Sequence, residues 1–176
     1  MMTWNIDKAH SKIGFSVRHM MIAKVHGEFT NFDVQLNLDP VELGNSKIIA
    51  NIDVQSIDTA QSQRDDHLRS ADFFDVEAFP TINFQSTDFE KSGDDNVRLE
   101  GLLTIRGITK PITLKGEQLG PVKNPMSGVR SVGYSLTGEL SREDFGLTWN
   151  KAMESGGVMV GKKVTINIDV EVAESE

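Results

Sequence analysis

The chain has 176 residues, 38% of them hydrophobic and 25% charged, with a formal net charge of -8 and no cysteine. That size and mix fit one domain, residues 1–176, with a sizeable core of its own. The acidity argues against nucleic acid or an anionic membrane surface as the main partner, and the missing cysteines exclude disulfides and thiolate chemistry.

The start, Met1-Met-Thr-Trp-Asn-Ile-Asp, has no basic flank leading into an apolar run. No leader is expected on that ground, and the chain reads as cytoplasmic, although a mature form with its leader removed would read the same. No window approaches the roughly 18 apolar residues of a membrane-spanning helix. A homodimer is compatible with the sequence.

Taken in order, Ile13, Phe15, Val17 and His19 share one parity, which places them on one face of a first strand. The next strand carries Val25, Gly27 and Phe29 on odd positions, then Phe32, Val34, Leu36 and Leu38 on even ones. A parity switch inside a strand means an extra residue, so a β-bulge is expected near Thr30-Asn31. Asp39-Pro40 and Gly44-Asn45 punctuate a turn, and Ile48, Ala50, Ile52 and Val54 mark a third strand.

Residues 59–80 break the alternation. Thr59 is suited to cap a short helix running to about Arg69. Phe73, Phe74 and Phe79 come next, then Pro80. Ile82 and Phe84 open a fourth strand, and Val97, Leu99, Gly101, Leu103 and Ile105 a fifth. Arg106-Gly107 reads as a hairpin turn into Ile112, Leu114 and Gly116. Pro111 removes one ladder donor, so this sixth strand should be frayed or have a free edge at its start. Gly120 to Gly128 is a loop by composition. Val132 to Leu140 give a seventh strand, Ser141 to Gly157 is irregular with a helical turn near Lys151–Glu154, and Val164 to Val172 alternate as an eighth. Ala173 to Glu176 read as a solvated tail.

About eight strands joined mostly by short turns, without a βαβ rhythm, predict an all-β antiparallel fold. Eight strands close into a barrel that holds side chains or one small ligand, with a two-sheet sandwich as the alternative.

The chemistry-bearing residues are sparse. His10, His19, His26 and His67 sit on different elements with no close pair, so no metal site is expected. Asp65, Asp66 and His67 are neighbours on a helix and splay apart by about 100°, which suits a solvated turn better than an acid–base pair. Gly156-Gly-Val-Met-Val-Gly-Lys-Lys163 has the spacing of a phosphate loop but lacks its Ser or Thr and leads into a strand. No Gly-x-Ser-x-Gly elbow is present. The irregular segments gather Met20, Met21, Phe73, Phe74, Phe79, Phe145, Trp149, Met153 and Met159, which suits either a plain core cap or the rim of an apolar site.

Several stretches resemble the YceI-like, polyisoprenoid-binding proteins with a lipocalin-like barrel. They are Trp4-Asn-Ile-Asp-Lys-Ala-His-Ser11, Phe15-Ser-Val-Arg-His-Met20, Gly27-Glu-Phe-Thr-Asn-Phe32, Ser56-Ile-Asp-Thr59, Arg64-Asp-Asp-His-Leu-Arg-Ser-Ala-Asp-Phe-Phe74, Pro80-Thr-Ile-Asn-Phe84, Gly101-Leu-Leu-Thr-Ile-Arg-Gly107, Arg142-Glu-Asp-Phe-Gly-Leu147 and Val160-Gly-Lys162. The resemblance implies an extended eight-stranded antiparallel barrel with a short helix at residues 61–70. It also implies an apolar tunnel for a polyprenyl phosphate, a quinone-like lipid or another long-chain amphiphile.

Motif position and parity together nominate Phe15, Val17, His19, Phe29, Phe32, Phe84, Leu103, Phe145 and Trp149 as lumen residues. His19, Arg64, His67 and Arg142 are nominated near a head group. The expected role is binding or transport of a lipid without catalysis or cofactor. Two alternatives stand beside it: an enzyme acting on a lipid-like substrate with a histidine and a carboxylate, and a stress-response scaffold whose cavity its own side chains fill.

Overall fold

The computed structural model describes residues 3–175. Met1, Met2 and Glu176 lie outside the described residues, and with them the first part of the stretch read as lacking a leader. Ten strands are present among the described residues: β1 (Thr3–His19), β2 (Ala23–Phe29), β3 (Phe32–Asn37), β4 (Lys47–Asp53), β5 (Ile57–Asp58), β6 (Thr81–Lys91), β7 (Asn96–Ile105), β8 (Ile108–Lys123), β9 (Arg130–Ser141) and β10 (Val160–Ser175). An α-helix, α1 (Ser62–Arg69), lies between β5 and β6.

All ten strands form one sheet in the order β3-β4-β6-β7-β8-β9-β10-β1-β2-β5, and every pairing is antiparallel. The all-β antiparallel expectation holds, but the count is ten rather than eight. The long second strand divides at Thr30-Asn31, and the two-residue β5 adds a short partner to β2.

That division is what closes the fold. β3 stands at one end of the sheet and β2 beside the other, yet only Thr30 and Asn31 separate them along the chain. The sheet therefore curls until its two ends meet in one bent segment. Phe29 and Phe32 are both buried although three positions apart, so the expected parity switch is present, but it falls in a break between β2 and β3, which pair with different strands, rather than in a bulge within one strand. The bend is held from across the seam, where Thr30 donates its backbone N–H to Ser56 O at 3.3 Å and Asn31 O accepts from Asp53 N at 3.0 Å.

Inward faces follow the period of two. On β7, Val97, Leu99, Gly101, Leu103 and Ile105 are buried while their neighbours are not. Each large apolar side chain removed from water in this way contributes about 1.5–3 kcal/mol. Arg106 and Gly107 both take positive φ, 54° and 73°, as a two-residue hairpin turn of the primed kind requires. Pro111 pairs with Leu102 of β7, and β9 joins β8 only from Lys115, so the start of β8 does have a free edge.

Four expectations are corrected. Ala173 to Ser175 are not a solvated tail, because they pair with Asn5 to Thr3. The first strand likewise starts at Thr3, and an irregularity between Asp7 and Lys12 hides its first part from a parity reading. Gly120 to Lys123 of the Gly120–Gly128 stretch belong to β8, whose Val122 and Lys123 pair with Ser131 and Arg130. Residues 151–154 form no helical turn; an isolated bridge joins Ala152 to Val158.

Candidate functional site: an apolar lumen under a helical cap

The charged insert folds into α1 for a reason other than the one its sequence suggests. Gln61, not Thr59, occupies the N-cap position, and no side chain caps it. Thr59 instead meets Asp65 from below the helix. Asp65 Oδ1 accepts from the Thr59 backbone N–H at 2.9 Å and from its hydroxyl at 2.5 Å. Arg64 donates Nε to Thr59 Oγ1 and Nη2 to Thr59 O, at 2.8 and 2.7 Å. Arg69 donates to Gln55 O and Ile57 O, both at 3.0 Å. These charges tie α1 to β5. Asp65 is buried, so the turn is not simply solvated.

Under this cap the curled sheet encloses a cavity of about 240 Å³. It runs from Leu68, Phe73 and Phe74 at the helical end to Ile6, Leu38 and Phe89 at the other. Among the described residues, only two that line it carry polar side chains, Tyr134 and Arg142. The Tyr134 hydroxyl donates to Gln118 Oε1 at 3.1 Å, and burial raises its pKa. Protein interiors are close-packed and leave few voids larger than a water molecule. A space of this size with almost no polar lining is suited to apolar matter and poorly suited to water.

Arg142 is 3% exposed and meets four backbone carbonyls. Nε donates to Gly161 O at 2.7 Å, Nη1 to Leu147 O and Trp149 O at 2.6 and 2.9 Å, and Nη2 to Val160 O at 3.2 Å. The planar fork of arginine satisfies carbonyls on both sides of the segment between Leu147 and Val160. Loss of hydration lowers its pKa, with the neighbouring Glu143 opposing the shift.

Of the residues nominated from the sequence, Phe15, Val17, Phe29, Phe84, Leu103 and Arg142 line this space. Phe32 and Phe145 are buried, at 6% and 1% exposure, but lie in the core outside the lining. His19 closes the end of β1 opposite Ala23 and Val160 and does not line it. Arg64 is held at Thr59. His67 stands edge-on to Phe73 and Trp149, with ring centroids at 5.1 and 4.7 Å, and its Nε2 is 2.8 Å from Asp72 Oδ2. His67 and Trp149 thus back the Phe73 ring from outside the lumen.

The sequence reading missed most of the lining, including Val34, Leu36, Ile48, Ile166 and Ile168. Their strand parity was visible, but no aromatic or polar signal set them apart from an ordinary core. It also missed a cluster on the outer surface. Asp7, His10 and Glu171 bring one ligand atom each within 4.8 Å of the others. Glu171 joins them only because it pairs with Asp7 across β1 and β10.

A curled antiparallel sheet around an apolar chamber, capped by a short helix, is a lipocalin-like barrel. The YceI-like domain family matches residues 4–172, and the chain belongs to that family. A UPF0312 protein of Staphylococcus aureus is 40% identical over 176 residues, the full length of both chains. The Campylobacter jejuni YCEI protein is 31% identical, with full coverage of both chains and a TM-score of 0.76. Burkholderia cenocepacia BcnA shares the fold at a TM-score of 0.82 and 21% identity, over 95% of this chain and 99% of its own. A polyisoprenoid-binding domain from Saccharophagus degradans shares it at 0.66 and 14% identity, over 98% of each chain. Among the described residues, no helix is long and apolar enough to cross a membrane.

Proposed function

We propose that this protein binds a polyisoprenoid or another long-chain amphiphile inside the barrel, as a carrier with no chemistry of its own. One observation carries the reading: a cavity of about 240 Å³ whose lining offers a ligand almost nothing but carbon. Each methylene moved from water into such a space contributes about 0.8 kcal/mol, so a long chain needs no polar contact along its length. Membership of the YceI-like family and the likeness in fold to a polyisoprenoid-binding domain support the same class of ligand.

Arg142 gives the lumen its polarity. Among the described residues it is the only cation on the wall, and its hydrogen-bond partners are carbonyl oxygens rather than a carboxylate. A buried positive charge compensated mainly by dipoles favours an anionic group nearby, which suits a phosphate-headed chain.

The alternative, an enzyme working through a histidine and a carboxylate, has a hydrogen-bonded pair in His67 and Asp72. Neither residue lines the space a lipid-like substrate would occupy, and the Phe73 and Trp149 rings pack on His67. A general base must reach the proton it abstracts. Binding is therefore the reading the geometry supports best.

Native mass spectrometry of protein purified without detergent tests it, with organic extraction of whatever is released. A stoichiometric isoprenoid or long-chain lipid is the expected result. A clean apo mass, with no uptake of added polyprenyl phosphate or quinone, would overturn it.

A further inference from the structure

The hairpin joining β1 to β2 makes two unfavourable choices at once. His19 pairs with Ala23 across a three-residue loop in which His19 O accepts from Ile22 N at 3.2 Å, and both residues between those two, Met20 and Met21, take positive φ, 51° and 61°. Such a turn is normally built from Asn and Gly, because a Cβ in the left-handed region costs about 1–2 kcal/mol per residue. Here it presents three large apolar side chains to water instead. Met20, Met21 and Ile22 are 40%, 62% and 80% exposed.

The charges flanking the tip are a third choice of the same kind. Arg18 pairs directly with Lys24 across the hairpin, and like charges placed opposite one another destabilise a strand pair. Neither residue takes part in an ion pair among the described residues. From Val17 to Gly27 the chain carries Arg18, His19, Lys24 and His26 and no acidic residue. In a protein of net charge -8, this is a local inversion of sign.

The tip also has a fixed place. Met20 donates its N–H to Met159 O at 2.7 Å, and Met21 lies against Gly157. The tip therefore stands at the end of the barrel where Leu147 and Val160 line the lumen.

We propose that Met20, Met21 and Ile22, flanked by Arg18 and Lys24, form a docking surface for an anionic lipid bilayer. The three apolar side chains enter the headgroup boundary, and the paired cations meet lipid phosphates. The overall acidity, which argues against a membrane surface when averaged over the chain, does not prevent this. At about 0.1 M salt the Debye length is about 10 Å, so the local pair outweighs charges farther away. The inference deepens the lumen reading, on which it rests for its purpose: docking would set the lumen end beside the source of an apolar cargo.

The test is flotation of the full chain with phosphatidylcholine vesicles, with and without phosphatidylglycerol. Light scattering and uptake of geranylgeraniol added from dilute ethanol are measured on the same samples. The parent is expected to float with the anionic vesicles only, and less so as salt is raised. Met20→Asn combined with Met21→Gly suits the turn better, so it should melt no lower and still take up geranylgeraniol, yet stop floating. Arg18→Gln with Lys24→Gln should weaken flotation by about 25-fold, or about fivefold per cation.

Flotation of the Asn-Gly variant equal to the parent would overturn the proposal. So would a parent that ignores both kinds of vesicle. If that parent is a dimer which the Asn-Gly variant splits, the tip is an interface with a second copy instead. Failure of geranylgeraniol uptake with vesicle binding intact would count against the lumen reading and leave the docking surface standing.

Discussion

Phe15 lies folded over Gly27. The two residues pair directly across β1 and β2, and the ring occupies the space a side chain at position 27 would need. A methyl group on Gly27 would press into Phe15 Cζ and sit 2.9 Å from Thr59 Cγ2. Phe15 in turn contacts Phe29 at 5.7 Å between centroids, and both line the lumen. Gly27→Ala should push the Phe15 ring inward, lower stability by about 1–3 kcal/mol and reduce lipid uptake. Thermal melts and extraction of bound lipid from the variant check this; unchanged uptake would show that Phe15 does not set the lumen's width.

The lumen wall and the outer cap should respond differently to substitution. Phe15→Asp places a charge in an apolar space with no partner and is expected to abolish lipid uptake. Trp149→Ala removes a ring that packs on His67 and Phe73 from outside, so it should lower stability while leaving uptake measurable. Titration of both variants with a polyprenyl lipid decides between them. Equal loss in both would place Trp149 in the binding machinery after all.

Asp65 should matter more than its place in a charged helix suggests. Its Oδ1 receives both the N–H and the hydroxyl of Thr59, and the residue is buried. Hydrogen bonds to a charged group contribute about 1.5–3 kcal/mol each, and orphaned donors add to the loss. Asp65→Ala is expected to cost about 2–4 kcal/mol in a urea melt. A change below about 0.5 kcal/mol, as at ordinary surface sites, would show that the tie to β5 carries no weight.

Arg142→Lys keeps the charge but cannot serve four carbonyls spread over Leu147, Trp149, Val160 and Gly161 at once. Arg142→Met removes the charge and leaves all four without this donor. Both should lower the melting temperature, the methionine variant by more, since each buried acceptor left unpaired costs about 1–3 kcal/mol. On the carrier reading, both should also weaken phosphate-headed ligands more than the corresponding alcohols. Equal weakening of the two ligand types would separate Arg142 from head-group recognition.

His10 and Asp7 should couple to pH. The hydrogen bond from His10 to Asp7, helped by the nearby charges of Asp7 and Glu171, raises the histidine pKa above its ordinary 6.5. The same bond lowers the Asp7 pKa below 3.8. The histidine's contribution is complete below about pH 6.5 and fades as pH rises through its raised value. The aspartate's is complete above about 3.8 and fades as pH falls through its lowered value. The pair should therefore stabilise most between those limits, and only slightly, because both groups face solvent. NMR titration of the His10 ring should show the raised midpoint, and Asp7→Asn should bring it down. An unmoved midpoint in the variant would assign the shift to Glu171.

Much of this molecule is legible in one dimension, because period-two alternation is a local property of the chain. Val97 to Ile105 and Val164 to Val172 both show it, and over the first run burial follows it residue by residue. The parity switch at Thr30-Asn31 and the Arg106-Gly107 turn are equally local, since parity and the tolerance of glycine for positive φ are written in adjacent residues. Pairing between distant segments is not legible in this way. Thr3 meets Ser175, Asp7 meets Glu171, and the bent β2–β3 segment joins the two ends of the sheet only once the chain has folded.

The candidate site divides along the same line. Phe15, Val17, Phe29, Phe84 and Leu103 carry the lumen parity in the sequence. Whether an inward residue faces open space or a packed neighbour depends on the curvature of the sheet, which no local pattern encodes. Phe32 and Phe145 are as apolar as Phe84, yet they are packed in the core outside the cavity lining. That Arg142 is a buried tie is not legible locally, because its carbonyl partners Leu147, Trp149, Val160 and Gly161 come to one point only in the tertiary fold.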